Sequence, residues 1–171
     1  TAYLRFATES FSFKFNIFGK IFLTLVGMAG LIYLGQQTVR LAREQIWLQR
    51  ADQEETSVQR QIGLFEKAFA IEPKNFETAY RLGEDFRAQS WNGTTGYEAS
   101  AQKAMQWFER SIALNPYYAS SQLSYGMCLD WLGQTNEATP YFARAQQLDP
   151  NDYFNVARQG WHLFQLGDYI G

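Results

Sequence analysis

Tyr117 to Pro150 reads YYASSQLSYGMCLDWLGQTNEATPYFARAQQLDP, preceded by Leu114-Asn115-Pro116 and closed by Leu148-Asp149-Pro150. The two prolines stand 34 residues apart. Between them the apolar pattern forms two helical stretches separated by a short polar turn at Leu132-Gly133-Gln134. The second stretch places Ala138, Phe142 and Ala145 at offsets of four and three, which is one stripe of a helix. Gly126, Ala138 and Ala145 are small, as required where two helices of a hairpin come close. Proline closes the unit because it has no N–H with which to continue a helix interior. One such hairpin cannot bury its own apolar face, so the stretch predicts copies of itself.

The copies are present. Pro73 closes an earlier unit in which Phe65 and Ala68 take the places of Phe142 and Ala145. The unit from Pro73 to Pro116 is 43 residues long, nine more than its successor. Its first helix shows Ala79, Leu82, Gly83 and Phe86, and its second shows Ala104, Phe108 and Ser111. The surplus falls in the glycine-bearing stretch Ser90 to Tyr97, which predicts a loop insertion at 90–97. Beyond Pro150, Gly160 repeats Gly126 at the 34-residue interval, Leu163 repeats Leu129, and Leu166-Gly167-Asp168-Tyr169 repeats the turn. This sequence of small, large and proline positions resembles the tetratricopeptide repeat (TPR). The alternative on the same periodicity is an unrelated array of helical hairpins. The expected fold is all-α: one transmembrane helix continuing into a TPR-type α-solenoid, with about three and a half repeat units over 37–171. The last pair lacks its second helix, and a stacked array ends on a polar outer face. That mismatch predicts a piece of a longer protein.

Nearly half of the residues are hydrophobic, 17% are aromatic and the formal net charge is −2. A packed core is therefore expected, and a nucleic-acid partner is not, because phosphate binding wants a basic face. Cys128 is the single cysteine and lies inside a repeat helix, so it reads as a small apolar core residue.

Residues 1–14 mix Tyr3, Phe6, Phe11 and Phe13 with Arg5 and Lys14, the blend a chain presents at lipid headgroups. From Ile21 to Val39 there is no charge. Extended back to Phe15, the apolar run is about twenty residues, roughly 30 Å as a helix, and matches a hydrocarbon core. A transmembrane helix is expected over 15–36, with Gly27, Gly30, Phe18 and Phe22 facing other transmembrane helices. A signal peptide and a core helix of a soluble domain are the competing readings, against which stand the missing small-x-small cleavage site and the lack of surrounding mass. Arg5, Lys14 and Lys20 upstream balance Arg40, Arg43 and Arg50 downstream, so the side of the membrane is not set by charge. No glycine or proline interrupts 36–58, which predicts that the helix leaves the lipid and pairs with 60–72 as an atypical first repeat.

Little in the chain favours catalysis. The one histidine, His162, stands alone and reads as a packing residue; no metal or cofactor set accompanies it. Glu54-Glu55 and Glu84-Asp85 are adjacent, so on a helix they diverge and read as solvated faces. Asn92-Gly93-Thr94 formally matches a glycosylation acceptor. The TPR resemblance implies that the first helices of successive pairs line a concave binding face. In repeat phase that face takes Tyr80, Arg81, Glu84 and Arg87, then Leu123, Ser124, Met127 and Asp130, then Ala157, Arg158, Trp161 and Phe164. The lysine and asparagine set with which some TPR families clamp a peptide carboxylate is absent. The mix implies an apolar groove with arginines for acidic anchoring points.

RLGEDFRAQSWNG, WFERSIALNPY, YGMCLDWLG and GWHLFQLGDY further resemble the C-terminal repeats of bacterial O-antigen ligase-like membrane proteins. That resemblance implies a bacterial inner-membrane chain, and no catalytic residue carries over from it. The expected function is a non-catalytic, membrane-anchored interaction module, an accessory subunit or tail with protein partners in the bilayer. The alternative is the C-terminal fragment of a glycan-transferring membrane enzyme.

Overall fold

The computed structural model describes residues 16–93 and 95–167. Every element among them is helical: α1 (Ile17–Asp52), α2 (Val58–Ile71), α3 (Phe76–Trp91), α4 (Tyr97–Leu114), α5 (Ala119–Trp131), α6 (Thr135–Leu148) and α7 (Tyr153–Leu166). The expected interfacial segment at 1–14, Thr94 of the acceptor motif and the Asp168-Tyr169 turn lie outside the described residues. The chain forms two units, residues 1–39 and 40–171.

In the first unit the apolar stretch of α1 is long enough to cross a membrane, and none of it is buried. Phe18 and Phe22 are exposed, and a methyl group added to Gly27 or Gly30 would meet nothing within 4 Å.

The second unit is a stack of hairpins, with α3 on α4 and α5 on α6 in closest approach and α4 on α5 and α6 on α7 joining them. Side-chain caps start three of the helices. Ser57 Oγ accepts from the Arg60 N–H, Asn75 Oδ1 from the Glu77 and Thr78 N–H groups, and Asp152 Oδ1 from the Phe154 N–H. Gly133 (φ 76°) and Gly167 (φ 77°) take the left-handed conformation that turns the chain after α5 and α7. The expected helix stripes are buried: Phe65 with Ala68, Ala104 with Phe108 and Ser111, and Ala138 with Phe142 and Ala145.

The expected pairing of the end of α1 with α2 is not a close hairpin: these two helices are not among those that pack closely. The end of α1 is tied to the α2–α3 corner by long polar side chains. Arg40 donates to the Ile71 carbonyl (3.0 Å) and pairs with Glu72, Asn75 donates to the buried Glu44 (2.6 Å), and Asp52 meets Arg81 (2.5 Å). Ala51 of this stretch enters the common core, and the partly buried Leu48 packs against it.

The long repeat from Pro73 to Pro116 departs from the expected loop insertion at 90–97. Ser90, Trp91 and Tyr97 are helical, and only 92–96 connect α3 to α4. Relative to α5 and α6, α3 is three residues longer (16 against 13) and α4 four longer (18 against 14). Most of the surplus therefore adds a turn to each helix instead of enlarging a loop. Pro140, which a terminator role does not anticipate, lies inside α6 and forfeits the bond its N–H would make to Asn136.

Candidate functional site

The ends of α3 and α5 and the middle of α7 converge on a cleft of about 420 Å³, lined by Trp91, Met127, Asp130, Trp131, Phe142, Arg158, Trp161 and Gln165. Met127, Asp130 and Trp131 lie at offsets of three and one on α5, while Arg158, Trp161 and Gln165 lie at offsets of three and four on α7, so each trio shares a side of its helix. Tryptophan is rarely left open to water, yet Trp91 and Trp131 are each 43% exposed and Trp161 57%. Their surroundings hold them in place. The Arg87 guanidinium lies 4.3 Å from the Trp91 ring centre, and that of Arg158 lies 5.7 Å from Trp91 and 4.8 Å from Phe154. Tyr97 meets Trp131 edge-on, and Phe164 stacks on Trp161.

Beneath the cleft, His162 is 1% exposed and joins three helices. Its Nδ1 stands 2.9 and 3.0 Å from the two Asp130 oxygens on α5, and its Nε2 stands 3.0 Å from Thr139 Oγ1 on α6. An ionised carboxylate only accepts, so Nδ1 carries a proton and donates it to Asp130, while Nε2 and the Thr139 hydroxyl share the second hydrogen bond. The imidazole also stacks on Phe142, with ring centres 4.4 Å apart. Burial raises the Asp130 pKa, and the His162 bond opposes that rise. Asp130 belongs to the lining and His162 is buried, so the hydroxyl–imidazole–carboxylate chain links the cleft to side chains on α5, α6 and α7.

Of the residues expected on the concave face, Met127, Asp130, Arg158 and Trp161 come together in the cleft. Glu84 and Arg87 sit beside it and pair through Arg87 Nε and Nη2, Arg87 Nη1 is buried without a partner among the described residues, and Ser124 donates to Glu84 (2.6 Å). Tyr80 is held between Phe108 and Tyr118. Leu123 is buried in the core, because α5 is enclosed by its neighbours along most of its length. Arg81 turns away to Asp52 and Glu77. The Glu84-Asp85 pair, expected as a solvated face, is half-buried, and burial with the neighbouring Glu84 charge pushes Asp85 up to about 7. Cys128 is buried beside this network, and burial pushes its thiol up to about 12, so it stays neutral. No cluster of metal-ligating side chains occurs among the described residues.

The sequence matches no protein-family model, and no curated protein matches it. Solved structures do resemble it. The Arabidopsis OM64 TPR domain superposes with a TM-score of 0.63 at 12% identity, over 72% of this chain and 96% of that one. The first TPR domain of Spaghetti (RPAP3), bound to the HSP90 peptide SRMEEVD, gives 0.64 at 14% identity, over 74% and 94%. The fold is a TPR-type solenoid. An O-GlcNAc transferase mutant from Thermobaculum terrenum also contains it, with a TM-score of 0.61 at 21% identity, over 72% of this chain and 22% of that one.

Within the TPR frame, phase counting misses Trp91, Trp131, Phe142 and Gln165. Trp91 belongs to the added turn of α3, which has no counterpart in α5. The available signal was that both helices end on tryptophan directly before their turns.

Proposed function

We propose that this chain is a membrane-anchored, non-catalytic TPR module that captures a protein partner in the tryptophan cleft of its concave face. The cleft carries the reading: three half-open indoles surround one groove with Arg158, which has no carboxylate partner among the described residues. Aromatic and arginine side chains dominate binding hot spots. The similar RPAP3 domain holds a peptide, which supports a protein ligand here. Anchoring is supported by the exposed apolar stretch of α1, which exceeds what a soluble monomer leaves open to water. On this reading Gly27, Gly30, Phe18 and Phe22 face other transmembrane helices, residues 1–14 rest at the headgroups, and the inner membrane of a bacterium is the location. A photo-crosslinker at Gln165, used in native membranes, is expected to give a discrete protein adduct that Trp161→Ala removes. Adducts unchanged by Trp161→Ala would reject the cleft as the capture site.

The succession of an apolar helix and TPR hairpins also fits the tail of an O-antigen ligase-like enzyme. Under that second reading the native polypeptide carries further apolar spans, and its mass in a membrane preparation decides between the two.

A further inference from the structure

The geometry points to a proline-bearing peptide segment in the polyproline II conformation as the ligand of the tryptophan cleft. This rests on reading the cleft as a partner-binding surface and specifies the partner's chemistry. Among the described residues, the indole N–H groups of Trp91, Trp131 and Trp161 have no protein acceptor, and Arg158, over the Trp91 and Phe154 rings, has no hydrogen-bond or ion-pair partner for its guanidinium. Both oxygens of Asp130, the one carboxylate in the lining, are engaged by His162. The lining therefore carries three indole N–H groups and a guanidinium as donors against the Gln165 amide oxygen as its uncommitted side-chain acceptor, with aromatic faces between them.

Polyproline II has the matching inventory. It makes no internal hydrogen bonds, so its carbonyls are free to accept, and each proline lacks the N–H that would need an acceptor. Its pyrrolidine rings lie against indole faces, and its ordering cost on binding is low because the conformation is already populated. Sugar hydroxyls donate as well as accept and would find few acceptors here. A quaternary ammonium ion would meet Arg158 and Arg87 at the Trp91 ring. A strongly acidic segment would find one uncommitted guanidinium, because Glu84 neutralises Arg87.

The test uses the full chain in detergent micelles and labelled octaproline, followed by anisotropy and tryptophan emission. Comparison probes are eight-residue Ala/Gln and Asp/Leu peptides, maltohexaose and tetramethylammonium. Octaproline is expected to bind at least about tenfold more tightly than the Ala/Gln peptide, with Trp161→Ala and Trp131→Ala each weakening it about tenfold. Both rings are substantially exposed, and unchanged far-UV dichroism verifies that each variant is folded. Equal binding of octaproline and the Ala/Gln peptide, insensitivity to both substitutions, or silence of every probe overturns the proposal. Capture of the Asp/Leu peptide alone overturns the polyproline ligand and leaves the interaction reading standing. Capture of maltohexaose or tetramethylammonium with no peptide bound overturns both.

Discussion

Gly83, Gly126 and Gly160 occupy related places in successive repeats, and the structure gives each a different tolerance for a methyl group. A Cβ on Gly83 would overlap the buried Phe108 ring, one on Gly126 would lie 3.1 Å from Phe142, and one on Gly160 would meet nothing within 4 Å. Gly83→Ala should therefore cost about 1–3 kcal/mol through overpacking, and Gly126→Ala less. Gly160→Ala should stabilise by roughly 0.5–1 kcal/mol by restricting the unfolded chain within a helix. Urea midpoints of the three variants check the ranking, and an equal effect at all three would contradict it. Asp85 adds a pH dependence. Its carboxyl ionises near 7 in the folded protein against 3.8 ordinarily, so the folded state holds the proton longer. Stability from this group is present below about pH 4 and declines as pH rises toward 7. Asp85→Asn should gain on wild type across that window and hold a constant advantage above it, as measured by denaturation at pH 4, 5.5, 7 and 8.

The repeat beat was legible at the level of elements. Ala138, Phe142 and Ala145 marked the inner side of α6, and the glycines at 133 and 167 marked turns, because helix period and left-handed turns are local properties. The length of α3 was not legible in the same way. Glycine at 93 and 96 suggested an early loop, whereas tertiary contact with Arg158 accompanies a helix that runs on to Trp91. The histidine clamp likewise depended on residues 32 apart in α5 and α7. His162→Ala should destabilise by about 3 kcal/mol, since it empties a buried site and leaves Asp130 without its donor. Thr139→Val removes a single bond and should cost about 1 kcal/mol. Thermal melts of both variants decide whether the clamp ties the three helices or merely fills space.

On the scale of the whole molecule, the proposed anchor makes a direct demand on α1. Leu25→Arg places a charge near the middle of the apolar stretch, at a cost of about 2.5–3.5 kcal/mol for insertion. Its carbonate-resistant membrane fraction should fall well below wild type, while a chain that stays soluble in both forms would contradict anchoring. The sequence by itself determined the helical class, the hairpin period and the apolar N-terminal helix, because these follow from spacing along one chain. Tertiary structure decided which aromatic residues share a groove. Trp91, Trp131 and Trp161 belong to three helices, and only the stacking of unequal hairpins brings side chains so distant in sequence to one surface.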